Sequence, residues 1–172
     1  QTTGINFTNR IPAERHYTNQ ILLNGSGVAA GDVDGDGWCD LFFAGIGGGS
    51  VLYQNKGDWK FEQVAIEALS RIDATGSALA DLDGDGDLDL IINSVGQGTF
   101  CFWNDGSGRF GAAPLVLNPG RCGSSLALGD IDGDGALDIY IANYRTSTIR
   151  DQPGARFTFN TVDNRPVPVE FG

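Results

Sequence analysis

Twelve aspartates stand in three copies of one pattern, D-x-D-x-D-G-x-x-D. They are Asp32, Asp34, Asp36 and Asp40, then Asp81, Asp83, Asp85 and Asp89, then Asp130, Asp132, Asp134 and Asp138. Alternation turns the first three carboxylates of each copy toward one side of a tight loop. The glycine at the sixth place (Gly37, Gly86, Gly135) permits the sharp return of the chain. Hard oxygen donors so grouped suit Ca²⁺, which takes about six to eight oxygens at roughly 2.3–2.6 Å. The seventh place is expected to give its backbone carbonyl, which leaves its side chain free to vary: Trp38, Asp87 and Ala136. The ninth, Asp40, Asp89 or Asp138, is expected to supply the last carboxylate, in bidentate fashion. The expectation is therefore three Ca²⁺ sites. For one such loop alone a solvated acidic turn is the lesser reading, and three complete copies in register all but remove it. An EF-hand is excluded, because it needs a glutamate at the twelfth place and flanking helices. That place holds Phe43, Ile92 or Ile141.

The elements that must position these loops repeat with them. Asp32, Asp81 and Asp130 are separated by 49 residues each. Before each loop runs a segment of small residues, 27–31, 76–80 and 125–129, suited to strands crowded near a central axis. After each loop comes an apolar strand, beginning at Asp40, Asp89 and Asp138, whose successive apolar positions predict burial on both faces. A third strand (51–55, 100–104) and a glycine turn leading to a fourth follow in the first two units. Four short strands in 49 residues are the content of a propeller blade. The fold class predicted is all-β, with about three four-stranded β-propeller blades that form part of a larger or multi-chain propeller. Residues 1–26 are a lead-in in which the segment around Phe7 resembles an outer strand of another blade. Blades occupy 27–75, 76–123 and 124–161, the third irregular after 143, and 162–172 is a proline-rich connector. Phe159 falls 49 residues after Phe110, either as a true outer strand or by coincidence.

Composition narrows the function. The net charge of −11 is mostly the loop aspartates, and three bound Ca²⁺ would bring it to about −5. No basic patch or aromatic-basic stripe is present, which argues against nucleic-acid binding. The apolar runs are too short to span a bilayer. Cys39 aligns with Leu88 and Leu137 and reads as a small core residue; Cys101 and Cys122 could pair across adjacent blades. An opening at Gln1 rather than Met fits a mature, processed product. Calcium is free at millimolar levels only outside cells, so an extracellular or cell-surface setting is expected. Asn6 and Asn24 begin N-glycosylation triplets.

The loop residues 31–41 and their two copies resemble the FG-GAP/VCBS repeat family, which includes the calcium-binding blades of integrin α-subunit propellers. Residues 16–55 resemble bacterial secreted proteins related to cartilage acidic protein. The resemblance implies a β-propeller and calcium at the loop positions named above. Propellers of the family usually close with about seven blades, more than this chain supplies. Either the chain belongs to a longer protein, or copies associate into a ring or fibre.

Three functions follow as alternatives. The first is a calcium-binding extracellular scaffold for adhesion, protein–protein interaction or assembly. The second is a lectin-like propeller, with Trp38, Trp59 and Trp103 stacking on sugars rather than packing between blades. The third is the non-catalytic propeller of a larger secreted enzyme. Catalysis by this chain is not expected, since His16 is the sole histidine and no Ser-His-Asp set is visible. The partner is a protein or glycan.

Overall fold

The computed structural model describes residues 2–11, 20–24, 26–145, 158–162 and 165–169. Two four-stranded antiparallel meanders dominate it. The first contains β1 (Val28–Gly31), β2 (Asp40–Phe43), β3 (Val51–Asn55) and β4 (Phe61–Val64). The second contains β5 (Ala74–Ala80), β6 (Asp89–Ser94), β7 (Thr99–Phe102) and β8 (Leu115–Leu117). These are two blades, and the third repeat begins a further one with β9 (Cys122–Gly129) paired to β10 (Asp138–Tyr144). The chain is thus all-β and built of propeller-type blades that do not close into a ring.

Inner strands lie side by side, with β1 against β5 and β5 against β9. Their small residues are what allow this. A Cβ on Gly27 would lie 2.9 Å from the Gly76 Cα, and one on Gly123 would lie 2.6 Å from the Asn93 side chain. β6 is buried at all six positions because a blade covers each of its faces. Its apolar run of Leu90, Ile91 and Ile92 predicts this for the middle, while Asp89, Asn93 and Ser94 are buried polar ends. The main core fills the space between the first two blades: Phe42, Leu52 and Val33 from one meet Leu90, Ile92 and Phe102 from the other.

Four expectations change. The segment 2–11 forms no strand; it lies against the first blade. The Phe61 amide donates to the Thr3 carbonyl, and the Phe7 ring stacks on Phe43 with centroids 4.9 Å apart. Phe159 lies in β11 (Thr158–Val162), which pairs with β12 (Arg165–Val169) as a separate hairpin rather than joining β10. The proline-rich end is therefore a strand, not merely a connector. Pro166 and Pro168 alternate along β12, so both can turn their N–H-less nitrogens away from β11, as an edge strand permits. Cys39 is exposed, because the eighth loop position lies on the open front of the first blade. Cys101 and Cys122 are buried and unbridged. β5 and β9 also start slightly before the predicted blade boundaries, at Ala74 and Cys122. His16 lies outside the described residues.

Candidate metal centres

Each loop closes on its own first aspartate. In the first, Asp32 accepts the amides of Asp36 (3.2 Å) and Gly37 (2.8 Å); in the second, Asp81 accepts those of Gly84 (2.7 Å) and Gly86 (3.1 Å). In the third, Asp130 accepts those of Gly133, Asp134 and Gly135. The glycines at places four and six hold left-handed backbone, with φ of 70° and 88° at Gly35 and Gly37, which a side chain would strain. The fifth aspartate then caps the seventh residue, as Asp36 accepts the Trp38 amide, Asp85 the Asp87 amide and Asp134 the Ala136 amide at 2.8–2.9 Å.

The result is three groups of carboxylates, each offering oxygens within 4.8 Å of one another: Asp32, Asp34 and Asp36; Asp81, Asp83 and Asp85; Asp130, Asp132 and Asp138. The donor set is all oxygen, which suits a hard divalent cation. In the first loop Oδ1 of Asp34 is buried without a hydrogen-bond partner. Its Oδ2 takes the ammonium of Lys56 at 3.2 Å. A buried carboxylate oxygen without a donor is the opening a metal ion would fill. Mutual repulsion is visible in the second loop. There the Asp83 carboxyl is raised above its usual range by desolvation, with the charges of Asp85, Asp89 and Asp81 adding to it.

The ninth aspartate behaves differently from the simple expectation. Asp40 is fully buried, and both oxygens are engaged by backbone. Oδ2 accepts the Val33 amide at 2.9 Å and Oδ1 the Asn55 amide at 2.7 Å. Asp89 repeats this with the amides of Leu82 (3.0 Å) and Asn104 (2.9 Å). Each carboxylate thus ties its loop to the end of the blade's third strand, besides any share in a metal. Burial raises the Asp40 carboxyl; the two amides oppose that, and the charges of Asp34 and Asp36 add to it. Among the described residues Asp138 shows the loop side of this clasp, accepting the Ile131 amide at 2.9 Å, and its group includes it among the converging oxygens.

Sequence reasoning missed the two asparagines. Asn55 and Asn104 each follow the ninth aspartate by 15 residues, and that shared offset was the available signal. The Asn55 side chain donates to the Cys39 carbonyl at 3.2 Å. That of Asn104 donates to the matching Leu88 carbonyl (3.1 Å) and also across the blade boundary to the Val33 carbonyl (2.8 Å). Of the three tryptophans, the structure brings Trp38 and Trp59 together on the first blade and leaves Trp103 on the second.

The model of the FG-GAP-like repeat matches residues 32–92 and again 81–141, each match running from the first aspartate of one loop into the strand after the next. The chain belongs to the FG-GAP-like repeat family. The two matches overlap and together cover well over half of the sequence. Among curated proteins nothing matches. Family membership accords with the blade architecture and makes the chain a β-propeller-like interaction scaffold. None of the described helical turns is long and apolar enough to cross a membrane.

Proposed function

We propose that this FG-GAP-like chain is an extracellular, non-catalytic scaffold whose blades are held by three calcium ions and whose outer surfaces bind a protein partner in adhesion or assembly. The observation that carries the reading is the set of three carboxylate groups, in register with the blades and each converging within 4.8 Å. Asp32, Asp34 and Asp36 would hold the first ion, Asp81, Asp83 and Asp85 the second, and Asp130, Asp132, Asp134 and Asp138 the third. Asp40 and Asp89, with the carbonyls of Trp38, Asp87 and Ala136, complete the expected ligand sets. A bound ion supplies positive charge that offsets the crowding of four carboxylates per loop. The chain's own residues do the rest: glycines set the bend, and the ninth aspartates link loop to strand.

Free Ca²⁺ at millimolar levels outside cells would fill sites with the affinity of ordinary extracellular calcium modules, which supports an extracellular setting. With free Ca²⁺ near 1 mM and Kd of ~10⁻⁴ M, each site would add about 1.4 kcal/mol, and three about 4 kcal/mol. That is a large part of an ordinary domain's stability of roughly 5–15 kcal/mol. The free blade faces imply association with another copy or with further blades of a longer protein.

The test is thermal unfolding of the 172-residue chain in 1 mM Ca²⁺ (about the free level assumed above) and in excess EGTA. Chelation is expected to lower Tm by several degrees or more, with recovery on adding Ca²⁺ but not Mg²⁺. An identical melting curve in both conditions would rule out calcium as a structural element.

A further inference from the structure

A surface cavity of about 470 Å³ opens on the front of the first blade. Trp38, Trp59, Leu41 and Phe61 line it, with Asn55 and Asp58 as its polar groups. The 49-residue repeat shows what this place is. The matching residues of the second blade, Leu90, Asn104, Gly108 and Phe110, receive Val33 from the first blade. Val33 is only 2 % exposed there, its carbonyl is held by Asn104, and its Cγ2 would lie 3.4 Å from a Cβ on Gly108. The cavity is therefore the first blade's counterpart of that inter-blade socket, and among the described residues no blade fills it.

Its residues depart from the repeat where a neighbouring blade would press. Ser107 and Gly108 of the second blade are Asp58 and Trp59 in the first. Both take left-handed backbone, φ 51° and 58°, which non-glycine residues rarely adopt and which costs on the order of 1–3 kcal/mol. A Cβ at Gly108 would already stand 3.3 Å from the Asp34 Cβ, so an indole there obstructs a blade docked in the same way. The exposed counterpart of Val33 is Ile131, the residue a second copy would bring to the socket. What remains is an apolar floor between two exposed indoles, Trp38 at 52 % and Trp59 at 75 %, with an amide and a carboxylate at the side.

We propose that this socket binds a neutral hexose unit of an oligosaccharide. The C–H face of a pyranose ring stacks on an indole, and its hydroxyls donate to Asp58 and accept from the Asn55 amide. In Asn104 the equivalent amide serves both its own blade and Val33; in Asn55 only the bond to its own blade is shown, so a hydroxyl takes the place of the Val33 carbonyl. The Asp58 carboxylate at the rim selects against uronic and sialic acids. This inference does not depend on the calcium reading, since no loop carboxylate group contributes a contact.

The experiment is a titration of the full chain with cellohexaose, mannohexaose and galactohexaose, followed by tryptophan fluorescence and calorimetry. At least one is expected to give a saturable change at millimolar concentration or below. Trp59→Gly restores the residue the repeat uses and removes the strained backbone, so it should fold at least as well as the parent. It should nonetheless bind roughly tenfold more weakly. Asp58→Asn should lose a few-fold, and Trp103→Ala should bind as the parent does. Three results would overturn the proposal: no saturable signal with any hexaose up to about 10 mM; undiminished binding by Trp59→Gly; or tighter binding of an oligogalacturonate. Concentration-dependent self-association that Ile131→Asp abolishes and the sugars do not compete with would assign the socket to a second copy instead.

Discussion

The second and third repeats carry the same loop, yet the same aspartate does different work in each. Asp89 is 1 % exposed and clasped by two amides, one from its loop and one from the third strand. Asp138 is half-buried, keeps the loop amide, and turns toward the other carboxylates. In the sequence the position matching Asn55 and Asn104 is Pro153, a residue with no N–H to give, and it lies outside the described residues. The second repeat is also enclosed by blades on both sides, whereas the third faces solvent through Ile131, Leu137, Tyr140 and Tyr144. Identical ligand patterns therefore do not imply identical roles: the strand that follows decides whether the ninth aspartate is also a structural clasp.

The largest effect should come from removing that clasp. Asp89→Ala leaves the half-buried Leu82 and buried Asn104 amides without an acceptor. At about 1–3 kcal/mol for each such group, the loss should be roughly 2–6 kcal/mol. Asp138→Ala exposes one amide in a half-open site and should cost about 1 kcal/mol or less. Both belong in EGTA, so that metal affinity does not enter, with stability read from urea unfolding. Equal losses in the two variants would end the distinction between clasp and simple ligand.

A smaller effect separates an asparagine that joins blades from one that serves its own. Asn104→Ala strips donors from the Val33 and Leu88 carbonyls, whereas Asn55→Ala strips a donor from the Cys39 carbonyl and the acceptor from the Gly57 amide, all within one blade. Each loses two bonds, so both should cost about 2 kcal/mol, but only the Asn104 loss crosses the blade boundary. A double variant pairing Asn104→Ala with Val33→Ala should be non-additive, because the two positions touch across the boundary. Additive losses would mean that the Val33 side chain and Asn104 are not coupled across the boundary.

The blade period and the three loops were legible in the sequence because both depend on local spacing. An Asp-x-Asp-x-Asp-Gly run has few ways to fold, and 49-residue repetition shows directly as matching residues. What was not legible depended on which repeat touches which. Cys39 reads as core by alignment with Leu88, but none of the described residues covers the front of the first blade, so it is exposed while Leu88 is half-buried. The lead-in around Phe7 has an outer-strand pattern, yet its ring found Phe43 and its backbone found Phe61. The pairing of Trp38 with Trp59, and the exclusion of Trp103, required the turn at Asp58 to be placed in space. The ninth aspartate's second role needed an amide 15 residues away, beyond the reach of loop pattern alone.

The finest test of the enclosed-versus-open comparison uses one position in two repeats. Val33 and Ile131 both occupy the second loop place, but they are 2 % and 74 % exposed. Val33→Ala removes two methyl-sized groups from the packed boundary and should cost about 1–2 kcal/mol, part from lost transfer energy and part from the cavity left. Ile131→Ala removes more hydrocarbon from a site that water already reaches, and should change stability by less than about 0.5 kcal/mol in dilute protein. Concentration gives the comparison its edge. If copies associate through the third repeat, the cost of Ile131→Ala should grow as protein concentration rises, because binding to the folded state alone stabilises it by mass action. The cost of Val33→Ala should then stay unchanged. An Ile131→Ala cost that matches Val33→Ala even in dilute solution would show that the third repeat is covered within a single chain, and the enclosed and open repeats would be alike after all.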